Sequence, residues 1–423
     1  MLETVEVPEL AIDAYQGLAP DAIMDRLRRC GLELRGLRLL HLNATSFGGG
    51  VSELLRSAVA LLRNLGLQAD WKVIAGDPTF FQVTKKIHNG LQGGPQALTQ
   101  VEMAAYQSTT ERNAKLLADD YDVVLVHDPQ PAGVPAARGK GQATWIWRCH
   151  IDTAQPNPQV WDFMRPYIGA FDAAIFTMRE FVPRPFPVEH VHVIAPAIDP
   201  LSPKNMALDD QTARRLLNWL GISLEHPLIS QVSRFDPWKD PLGVIAAYRM
   251  AREQVKDLQL ALVGSMALDD PEGWEVLRQI QAEAAGDPHI RVFSNLTGVG
   301  NVEVNAFQRL SRVAVQKSIR EGFGLVVSEA LWKGTPVVAG RAGGIPLQMA
   351  DGVGGLLVET VEECARGIVE LLRDPARATE LGRTGRERVR QHFLLPRLLL
   401  EELELIAEIT GVRSAETVPQ AGG

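Results

Sequence analysis

The stretch Leu37-Arg-Leu-Leu-His-Leu42 is a short apolar segment, and after a brief loop Gly48-Gly-Gly50 leads into the helical pattern Val51–Leu65. A strand, a glycine turn and a helix in this order predict one unit of an α/β domain. Working outward, the same half of the chain contains five more candidate strands and one more candidate helix: Trp71–Ala75, Val123–His127, Thr144–Arg148, Ala173–Thr177, Val191–Ile194 and Gln100–Leu117. Runs such as Val123–Val126 are apolar on both faces, which indicates a doubly wound parallel sheet with helices on both sides.

The same alternation starts again after residue 200. The candidate strands are Leu228–Val232, Gln259–Val263, Ile290–Phe293, Arg312–Gln316, Thr335–Ala339 and Gly355–Val358, and the candidate helices are Asp240–Gln254, Pro271–Ala285, Asn301–Leu310, Leu325–Trp332 and Val361–Leu372. A proline-rich linker, Ile194–Asn205, separates the two series. We therefore predict an α/β protein with two Rossmann-like domains, residues 1–198 and 199–393, that face across a cleft. A final helix is predicted at about 394–412. Ligands of such sheets bind beyond the carboxyl ends of the strands.

Length and composition limit the possible functions. The chain has 423 residues, 46% of them hydrophobic and 22% charged, which is typical of a globular protein with roughly two to three domains. Its net charge, 43 minus 51, is −8 and argues against a nucleic-acid-binding protein. The three cysteines, Cys30, Cys149 and Cys364, lack the spacing of a disulfide framework or a zinc site. No apolar run approaches about eighteen residues and the first residues do not resemble a secretory signal, so we expect a cytoplasmic protein without a membrane segment.

Two segments carry groups suited to an anionic ligand. Glycines 48–50 let a ligand approach the backbone at a helix N-terminus, where N–H groups attract anions, although a tight turn explains them equally well. The second segment is Ser233-Arg-Phe-Asp-Pro-Trp-Lys-Asp240, which follows a candidate strand. Arg234 and Lys239 oppose the dipole of the helix that begins there, so they suit a bound diphosphate better than they suit stability. The alternative is a solvent-exposed pair beside an aspartate helix cap.

A third segment, Glu321-Gly-Phe-Gly-Leu-Val-Val-Ser-Glu329, places two carboxylates around the start of a candidate helix. Eight helical residues rise about 12 Å, whereas glycosidase carboxylate pairs stand roughly 5–9.5 Å apart. We therefore expect Glu321 and Glu329 to bind two separate hydroxyl-bearing parts of one elongated ligand, with peptide N–H groups of Phe323–Leu325 facing the same ligand. The alternative is one helix-capping glutamate and one solvent-exposed glutamate.

A fourth segment, Trp145-Ile-Trp-Arg-Cys-His-Ile-Asp152, closes a strand of the first domain. At the carboxyl end of this strand, His150 and Asp152 are predicted to point into the cleft, although a lone histidine is more often structural. His127-Asp128 closes a neighbouring strand in the same way. Asp120-Tyr-Asp122 has the spacing of a metal-binding Asp-x-Asp motif, but it precedes its strand, so we interpret it as a turn.

Together these residues resemble the retaining GT-B glycosyltransferases of family GT4. The glycine loop 48–50, the cations Arg234 and Lys239 and the Glu321-x7-Glu329 motif carry the match, which covers roughly residues 37 to 395. The resemblance narrows to the trehalose synthases that transfer glucose, on the stretches His41-Leu-Asn-Ala-Thr-Ser-Phe-Gly-Gly-Gly50, His127-Asp-Pro-Gln-Pro131, Trp147-Arg-Cys-His-Ile-Asp152, Ala267-Leu-Asp-Asp-Pro-Glu-Gly-Trp274 and Gln316-Lys-Ser-Ile-Arg-Glu-Gly-Phe-Gly324. It implies that the final helix returns to the first domain, and that NDP-glucose and free glucose react reversibly to give α,α-trehalose and NDP.

The resemblance also implies roles for individual residues. Arg234 and Lys239 would hold the donor diphosphate, while Glu321 and His150 would contact the glucosyl group, and these four form the catalytic set. The donor-binding set is Gly49, Gly50, Ser294, Asn295, Leu296, Gly322, Phe323, Gly324, Leu325 and Glu329. In it, glycines 49 and 50 contact phosphate, residues 294–296 contact the base, residues 322–324 contact the glucose, and Glu329 contacts the ribose. The candidate acceptor residues are His127, Asp128 and Asp152.

Cleavage of the glucosyl–phosphate bond leaves negative charge on the diphosphate, and preorganised cations are a strong stabiliser of that charge. No carboxylate is identified as a nucleophile, so we expect retention by attack on the same face, with the departing phosphate oxygen taking the acceptor's proton. The two cations make a metal or other cofactor unnecessary, although Mg²⁺ is allowed as a stimulant. The expected partners are NDP-glucose, glucose and trehalose, with no nucleic acid and no membrane, and a homodimer is left open.

Two other functions fit these motifs. Another GT4 enzyme, with an acceptor like that of sucrose or glycogen synthase, would consume a sugar other than free glucose. A non-catalytic sensor of nucleotide sugars would bind the donor without releasing NDP when an acceptor is added. The motifs do not encode the preferred nucleotide, whether ADP, UDP or GDP, or the favoured direction of the reaction.

Overall fold

The structure, a computed structural model, describes residues 1–47, 49–95, 97–117, 120–139, 141–266 and 271–411. Gly48, Ala267–Asp270 and Val412–Gly423, which belong to three of the predicted features, lie outside the described residues. The chain divides into two compact units: unit 1 is Met1–Pro196 together with the described residues from Leu395, and unit 2 is Ala197–Leu394. Within the described residues, no helix has the length and apolar content needed to cross a bilayer.

Unit 1 contains, in its described part, a seven-stranded sheet. Its strands are β1 (Glu3–Thr4), β2 (Arg38–Asn43), β3 (Gln68–Val73), β4 (Val123–His127), β5 (Thr144–Cys149), β6 (Ala173–Phe176) and β7 (His190–Val193), in the order β1-β3-β2-β4-β5-β6-β7. All neighbours pair in parallel except β1, which is antiparallel to β3. The first helices are α1 (Asp21–Glu33), α2 (Gly49–Asn64), α3 (Pro78–Leu91), α4 (Gln100–Leu116), α5 (Val134–Arg138) and α6 (Pro158–Ile168).

One predicted strand is wrong in its position. The apolar run Trp71–Ala75 is only the end of the strand, because β3 spans Gln68–Val73. All of β3 pairs in parallel with β2. Backbone pairing therefore includes the polar residues ahead of Trp71, which an apolar pattern does not detect.

Unit 2 contains, in its described part, a six-stranded sheet in which all neighbours are parallel. Its strands are β8 (Leu228–Arg234), β9 (Gln259–Ser265), β10 (Ile290–Ser294), β11 (Val313–Gln316), β12 (Val337–Gly340) and β13 (Gly355–Val358), in the order β10-β9-β8-β11-β12-β13. Its helices are α7 (Asp210–Trp219), α8 (Pro241–Arg252), α9 (Pro271–Ala284), α10 (Asn301–Leu310), α11 (Leu325–Trp332), α12 (Ile345–Gln348), α13 (Val361–Arg373) and α14 (Pro375–His392). The predicted pair of doubly wound sheets is confirmed.

The sheet of unit 2 is buried on both faces. Ile229 and Leu260 belong to one apolar cluster, whereas their neighbours along the strands, Leu228 and Ala261, belong to another. Successive side chains of a strand point to opposite faces, so the two clusters lie on opposite sides of the sheet. This burial explains why the strands are apolar throughout.

Local sequence fixes the start of several helices. In α3, α6, α8 and α14 a proline occupies the first helical position, where its missing N–H costs nothing. In each case the preceding residue accepts hydrogen bonds from the first turn through its side chain, and these caps are Asp77, Asn157, Asp240 and Asp374. Each of these loops therefore ends at a defined residue.

The last helix, α15 (Leu395–Thr410), belongs to unit 1. Its leucine-rich side is buried, and the helix lies against α1 and α2. Arg397 Nη2 donates to the backbone oxygens of Ala195 (2.8 Å) and Pro196 (3.0 Å). Unit 1 is thus completed by chain segments that come before and after unit 2.

Candidate active site

The predicted motifs follow the strands at the switch point of each sheet, where the strand order reverses. In unit 2 the order runs from β8 towards β10 on one side and from β11 towards β13 on the other, so β8 and β11 flank the switch point. In unit 1, β2 and β4 flank the corresponding point. Ligands of doubly wound sheets bind beyond the carboxyl ends of such strands.

The loop after β8 is held by two aspartates. Arg234 is the last residue of β8, and Pro237–Lys239 forms a single 3-10 turn. Asp236 Oδ1 accepts a hydrogen bond from Trp238 N at 2.8 Å, and Asp240 caps α8. The aspartate caps expected from the alternative interpretation are therefore present, and the two cations lie beside them.

Lys239 and Glu321 form an ion pair between the loops after β8 and β11. Lys239 Nζ lies 2.7 Å from Glu321 Oε1 and 2.8 Å from Oε2, and Ser318 Oγ donates to Oε2 at 3.1 Å. The two side chains are only 15% and 10% exposed. A second ion pair joins Lys317 to Asp240. Two pairs of opposite charges therefore bind these loops to each other.

Arg234 differs from Lys239 because its side chain is 66% exposed. Its acidic contact is Asp236, at 3.4 Å. In the same two loops, the Arg320 guanidinium lies 5.0 Å from the centre of the Trp238 ring. The Arg234 guanidinium is therefore accessible to an incoming anion, whereas the ammonium of Lys239 already shares its charge with a carboxylate.

The backbone of Gly322–Leu325 is held by the left-handed conformation of Gly324 and by a hydrogen bond from Gln348. Gly324 precedes α11 with a φ of 83°, in the left-handed region that favours glycine. Gln348 Nε2 donates to the Phe323 carbonyl oxygen at 2.6 Å. No described residue accepts a hydrogen bond from Leu325 N, the first amide of the helix. Such an N–H is suited to an anion or a hydroxyl oxygen.

Glu329 lies inside α11 with 4% of its surface exposed. Its Oε2 accepts from Gln308 Nε2 at 3.0 Å, and its Oε1 lies 3.6 Å from Lys204 Nζ. Lys333, one turn along, donates to the Glu329 carbonyl oxygen at 3.0 Å, and burial lowers the pKa of Lys333 to about 7. The alternative of a solvent-exposed glutamate at this position is therefore wrong.

The segment predicted to contact the base follows β10. Ser294 Oγ accepts from Leu296 N at 3.2 Å, and the Asn295 side chain exchanges two hydrogen bonds with the Met266 backbone, at 2.8 and 3.0 Å. Asn295 thereby joins the ends of β9 and β10, while Leu296 is about half exposed. Because β10 is the edge strand, this segment lies further from the switch point than the cations after β8.

In unit 1 the described glycines of the predicted loop form the start of α2. The helix begins at Gly49, whose φ is 82°, and Gly50 is its second residue. A Cβ atom placed on Gly49 would meet no described atom within 4 Å, so the space above it is open. Ser52 Oγ donates to the Thr45 carbonyl oxygen at 2.9 Å and holds the loop against the helix. This geometry allows the expected phosphate contact.

Three histidines on neighbouring strands of unit 1 form a hydrogen-bonded row, which we name the histidine chain. His41 lies on β2, His127 ends β4 and His150 follows β5. His41 Nδ1 is 3.0 Å from His127 Nε2, and His127 Nδ1 is 3.0 Å from His150 Nε2. The ring centroids are 5.3 Å apart and the ring planes differ by only 22° and 13°, so the rings lie edge to edge in the row. Burial lowers the pKa of all three, that of His41 to about 4, so the rings are neutral near pH 7.

The two candidate acceptor aspartates have different surroundings. Asp128 Oδ1 accepts from His150 N at 2.9 Å, and burial raises the pKa of Asp128 to about 6, although this hydrogen bond acts in the opposite direction. Asp152 Oδ1 accepts from Ala154 N in its own loop at 2.9 Å. The structure therefore brings Asp128 together with His127 and His150, and it leaves Asp152 outside this cluster.

Asp122 of the Asp-x-Asp sequence has a structural partner. It accepts hydrogen bonds from Arg38 N and Arg38 Nη2, both at 2.8 Å, at the amino ends of β2 and β4. This agrees with its interpretation as part of a turn. Across the described residues, no group of three or more His, Cys, Asp or Glu side chains is placed to hold a metal ion.

Sequence reasoning missed four residues that contact the predicted site: His41, Lys204, Gln308 and Lys317. His41 contacts His127, while Lys204 and Gln308 contact Glu329. Lys317 contacts Asp240, the residue that caps α8. His41 lies within an apolar run, where a single histidine carries no signal of function. Only the strand order, which places β2 beside β4, brings it to His127.

Comparison with known proteins adds independent information. The family described as "Trehalose synthase, N-terminal domain" matches residues 41–183, and "Glycosyl transferases group 1" matches residues 217–388. A trehalose synthase of Rubrobacter xylanophilus is 52% identical over 97% of this chain and 100% of its own length. A trehalose synthase of Pyrococcus horikoshii is 40% identical over 95% of this chain and 97% of its own length.

A solved structure resembles the chain in fold. It is an α,α-trehalose-phosphate synthase (UDP-forming) from Burkholderia xenovorans in complex with glucose-6-phosphate, with a TM-score of 0.69 at 15% identity over 88% of this chain and all of that one. The chain has two doubly wound sheets, resembles this structure in fold and matches a glycosyltransferase family model. Together these observations define a glycosyltransferase with the GT-B fold. The full-length identity of 52% shows that the chain belongs to the trehalose synthase family. The predicted GT-B fold and the predicted resemblance to trehalose synthases are both confirmed.

Proposed function

We propose that the protein is a retaining glucosyltransferase of family GT4 that makes α,α-trehalose from NDP-glucose and free glucose in a reversible reaction. The observation that supports this most strongly is the full-length similarity to trehalose synthases. The trehalose-phosphate synthase is similar in fold alone. We therefore propose unphosphorylated glucose as the acceptor.

The donor diphosphate is proposed to bind beyond the ends of β8 and β11. Arg234 offers an exposed guanidinium, which can grip two phosphate oxygens, and Lys239 offers a point charge. The arriving phosphates would compete with Glu321 for Lys239. The carboxylate released in this way would accept hydrogen bonds from the glucosyl hydroxyls, next to the amides of Gly322–Leu325.

Other parts of the donor are assigned to the remaining predicted residues. Glu329 would bind the ribose hydroxyls, exchanging its contact with Lys204 for the ligand. Gly49 and Gly50 would donate backbone hydrogen bonds to phosphate. Residues 294–296 would contact the base. In unit 1, His150 would contact the glucosyl group, while Asp128 and Asp152 are kept as acceptor residues.

His127 receives a different assignment. It is 2% exposed and both of its ring nitrogens are occupied by other histidines. No ring nitrogen of His127 is therefore left to bind the acceptor. We propose that His127 positions His150 instead of contacting the acceptor.

The proposed chemistry needs charge stabilisation above all. As the glucosyl–phosphate bond breaks, negative charge grows on the diphosphate, where Arg234 and Lys239 stabilise it. The acceptor hydroxyl attacks from the same face, and its proton passes to the departing phosphate oxygen. We propose that no metal or other cofactor is required and that Mg²⁺ acts at most as a stimulant. The cytoplasmic location and the homodimer stay predictions.

The reaction is tested by incubating the protein with ADP-, UDP- or GDP-glucose and with glucose, glucose-6-phosphate or fructose. Trehalose and released NDP are both measured. We expect free glucose to give equal amounts of the two products, and trehalose with NDP to yield NDP-glucose in reverse. Turnover with a different acceptor and none with glucose would refute the proposed acceptor. Donor binding without NDP release would favour a sensor.

The role of Arg234 is tested by Arg234→Ala. Loss of a charge-assisted phosphate contact should lower kcat by about 10²–10³-fold. The unfolding midpoint should be almost unchanged, because the side chain is mostly exposed and pairs weakly. Arg214→Ala, which removes an exposed arginine from α7 of the same unit, is the control and should leave turnover unchanged. Normal turnover in a folded Arg234→Ala protein would contradict the assignment.

A further inference from the structure

The histidine chain has one unused ring nitrogen at each end. At the buried end, His41 Nε2 has no hydrogen-bond partner among the described residues. At the other end, His150 Nε2 is bonded to His127, and the described residues provide no partner for His150 Nδ1. His150 is only half-buried as a residue, and its Nδ1 is not among the buried nitrogens that lack a partner. A ligand can therefore reach the chain at His150 Nδ1.

The proton positions in the three rings are linked. A neutral histidine carries one ring proton, so one nitrogen donates and the other accepts. The two hydrogen bonds of the chain must then run in the same direction. Either all three rings are protonated at Nδ1, and His150 presents an N–H to the ligand, or all three are protonated at Nε2, and His150 presents a lone pair.

The surroundings of His41 favour protonation at Nδ1. Protonation at Nε2 would bury an N–H without an acceptor, which is rarer in proteins than an unpaired acceptor. Trp71 is paired with His41 across β2 and β3, so the two side chains lie on the same face of the sheet. The indole N–H of Trp71 is also buried without a described partner, and an indole can only donate. Protonation of His41 at Nε2 would add a second unpaired N–H to this face, whereas protonation at Nδ1 leaves only an unpaired acceptor there.

We propose that His41 and His127 are positioning residues that hold His150 in its Nδ1–H form, so that His150 donates a hydrogen bond to a hydroxyl oxygen of the glucosyl group. The identity of the ligand rests on the proposed function, whereas the tautomer is a property of the ligand-free protein. Asp128 assists by binding the backbone N–H of His150. The chain thus sets the direction of the hydrogen bond as well as the orientation of the ring.

The tautomer is tested by ¹⁵N NMR of the ligand-free protein labelled at its nine histidines. The ¹⁵N shift separates a protonated ring nitrogen from a bare one, and single substitutions assign the signals. We expect protonated Nδ1 and bare Nε2 in all three rings. Protonation of His150 at Nε2 would overturn the proposal even in a protein that makes trehalose. The expected tautomer in a protein that makes no trehalose would contradict the proposed function alone.

Two substitutions at His41 test the effect on catalysis. His41→Asn keeps an amide N–H near the position of Nδ1, whereas His41→Leu removes the donor. We expect His41→Leu to lower kcat/KM for the donor about tenfold or more, as for other partners that orient a functional histidine, and His41→Asn to retain most of it. In a His150→Ala background, His41→Leu should cause no further loss.

A purely structural role would give a different pattern. It would make the Asn and Leu variants equally impaired, or make His41→Leu lower kcat/KM by the same factor in both backgrounds. Either result would overturn the proposal. If a variant does not fold, the NMR measurement on the unsubstituted protein still tests the proposed tautomer of His150.

Discussion

The ammonium of Lys239 has a carboxylate partner before any ligand binds, and both groups are largely shielded from water. Such a pair adds little net stability, because desolvation offsets the attraction, but loss of one partner leaves the other charge uncompensated. Under the proposed function, transfer of Lys239 from Glu321 to the diphosphate couples two events. Binding of the leaving group frees the carboxylate that receives the sugar.

The substitution Lys239→Met tests this coupling at the level of one residue. The free energy of unfolding should fall by about 3 kcal/mol, because Glu321 is left without its cation. Turnover should fall at least about 100-fold, since the leaving group loses a stabilising charge. Urea unfolding and NDP release measure the two effects. Lys256→Met, at an exposed position of unit 2, is the control and should change neither.

A double substitution separates the two effects. Lys239→Met combined with Glu321→Gln should recover much of the lost stability, because no charge is then stranded, while activity stays low. A Lys239→Met protein with near-normal turnover would remove this residue from the proposed mechanism.

Among the structural elements, the loop after β12 supports the loop after β11 through direct backbone contact. A Cβ atom on Gly343 would overlap the carbonyl oxygen of Glu321, and one on Gly340 would overlap that of Ser318. Gly344 N also donates to the Gly322 carbonyl oxygen at 2.9 Å. The last residue of β12, Gly340, and the glycines at 343 and 344 in the loop after it therefore set the position of the loop that carries the Glu321 carboxylate.

Gly343→Ala should displace this loop. We expect kcat/KM to fall about tenfold or more, because small misplacements of contact groups are costly. Gly334→Ala is a matched control, since Gly334 also has a positive φ, of 79°, but has open space where the Cβ would lie. It should show the cost of backbone strain, about 1 kcal/mol or more in unfolding free energy, with activity retained. Equal losses of activity in both variants would contradict the supporting role.

The sequence predicts those elements whose burial makes them apolar. The strand Val123–His127 and the helices Asn301–Leu310 and Leu325–Trp332 agree with the structure residue for residue. Helix α14 is not predicted, because its buried positions include Ala378 and two glycines, which permit close packing without an apolar pattern. The sequence also locates the site loops, but it cannot pair Lys239 with Glu321 or link the histidine chain. Those contacts depend on which strands are neighbours.

For the whole molecule, buried histidines predict how stability depends on pH. Burial lowers the pKa of His41 to about 4 and that of His127 well below its ordinary value of about 6.5. Below pH 6.5 the unfolded chain therefore binds protons that the native protein does not, and stability falls as the pH decreases. Each group contributes up to about 1.4 kcal/mol per pH unit. Asp128, whose pKa is raised to about 6 by burial, acts in the opposite sense below that pH and offsets part of the effect.

Urea unfolding between pH 8 and pH 5 measures this dependence. We expect the free energy of unfolding to decrease steadily below about pH 6.5. In a His41→Leu variant, the slope of the unfolding free energy against pH should decrease by about the contribution of one histidine. A free energy of unfolding that stays constant or increases as the pH falls would contradict the lowered pKa values of these histidines.

The return of α15 to unit 1 has a consequence for synthesis on the ribosome. Unit 2 is one continuous stretch, Ala197–Leu394, so its core is available as soon as that stretch has emerged. The first 196 residues emerge before α15, whose buried leucine-rich side lies against α1 and α2 of their unit. At 5–20 residues per second, this delay is roughly 10–40 s. During that time the nascent chain exposes an apolar surface, which a chaperone can shield until translation reaches the last helix.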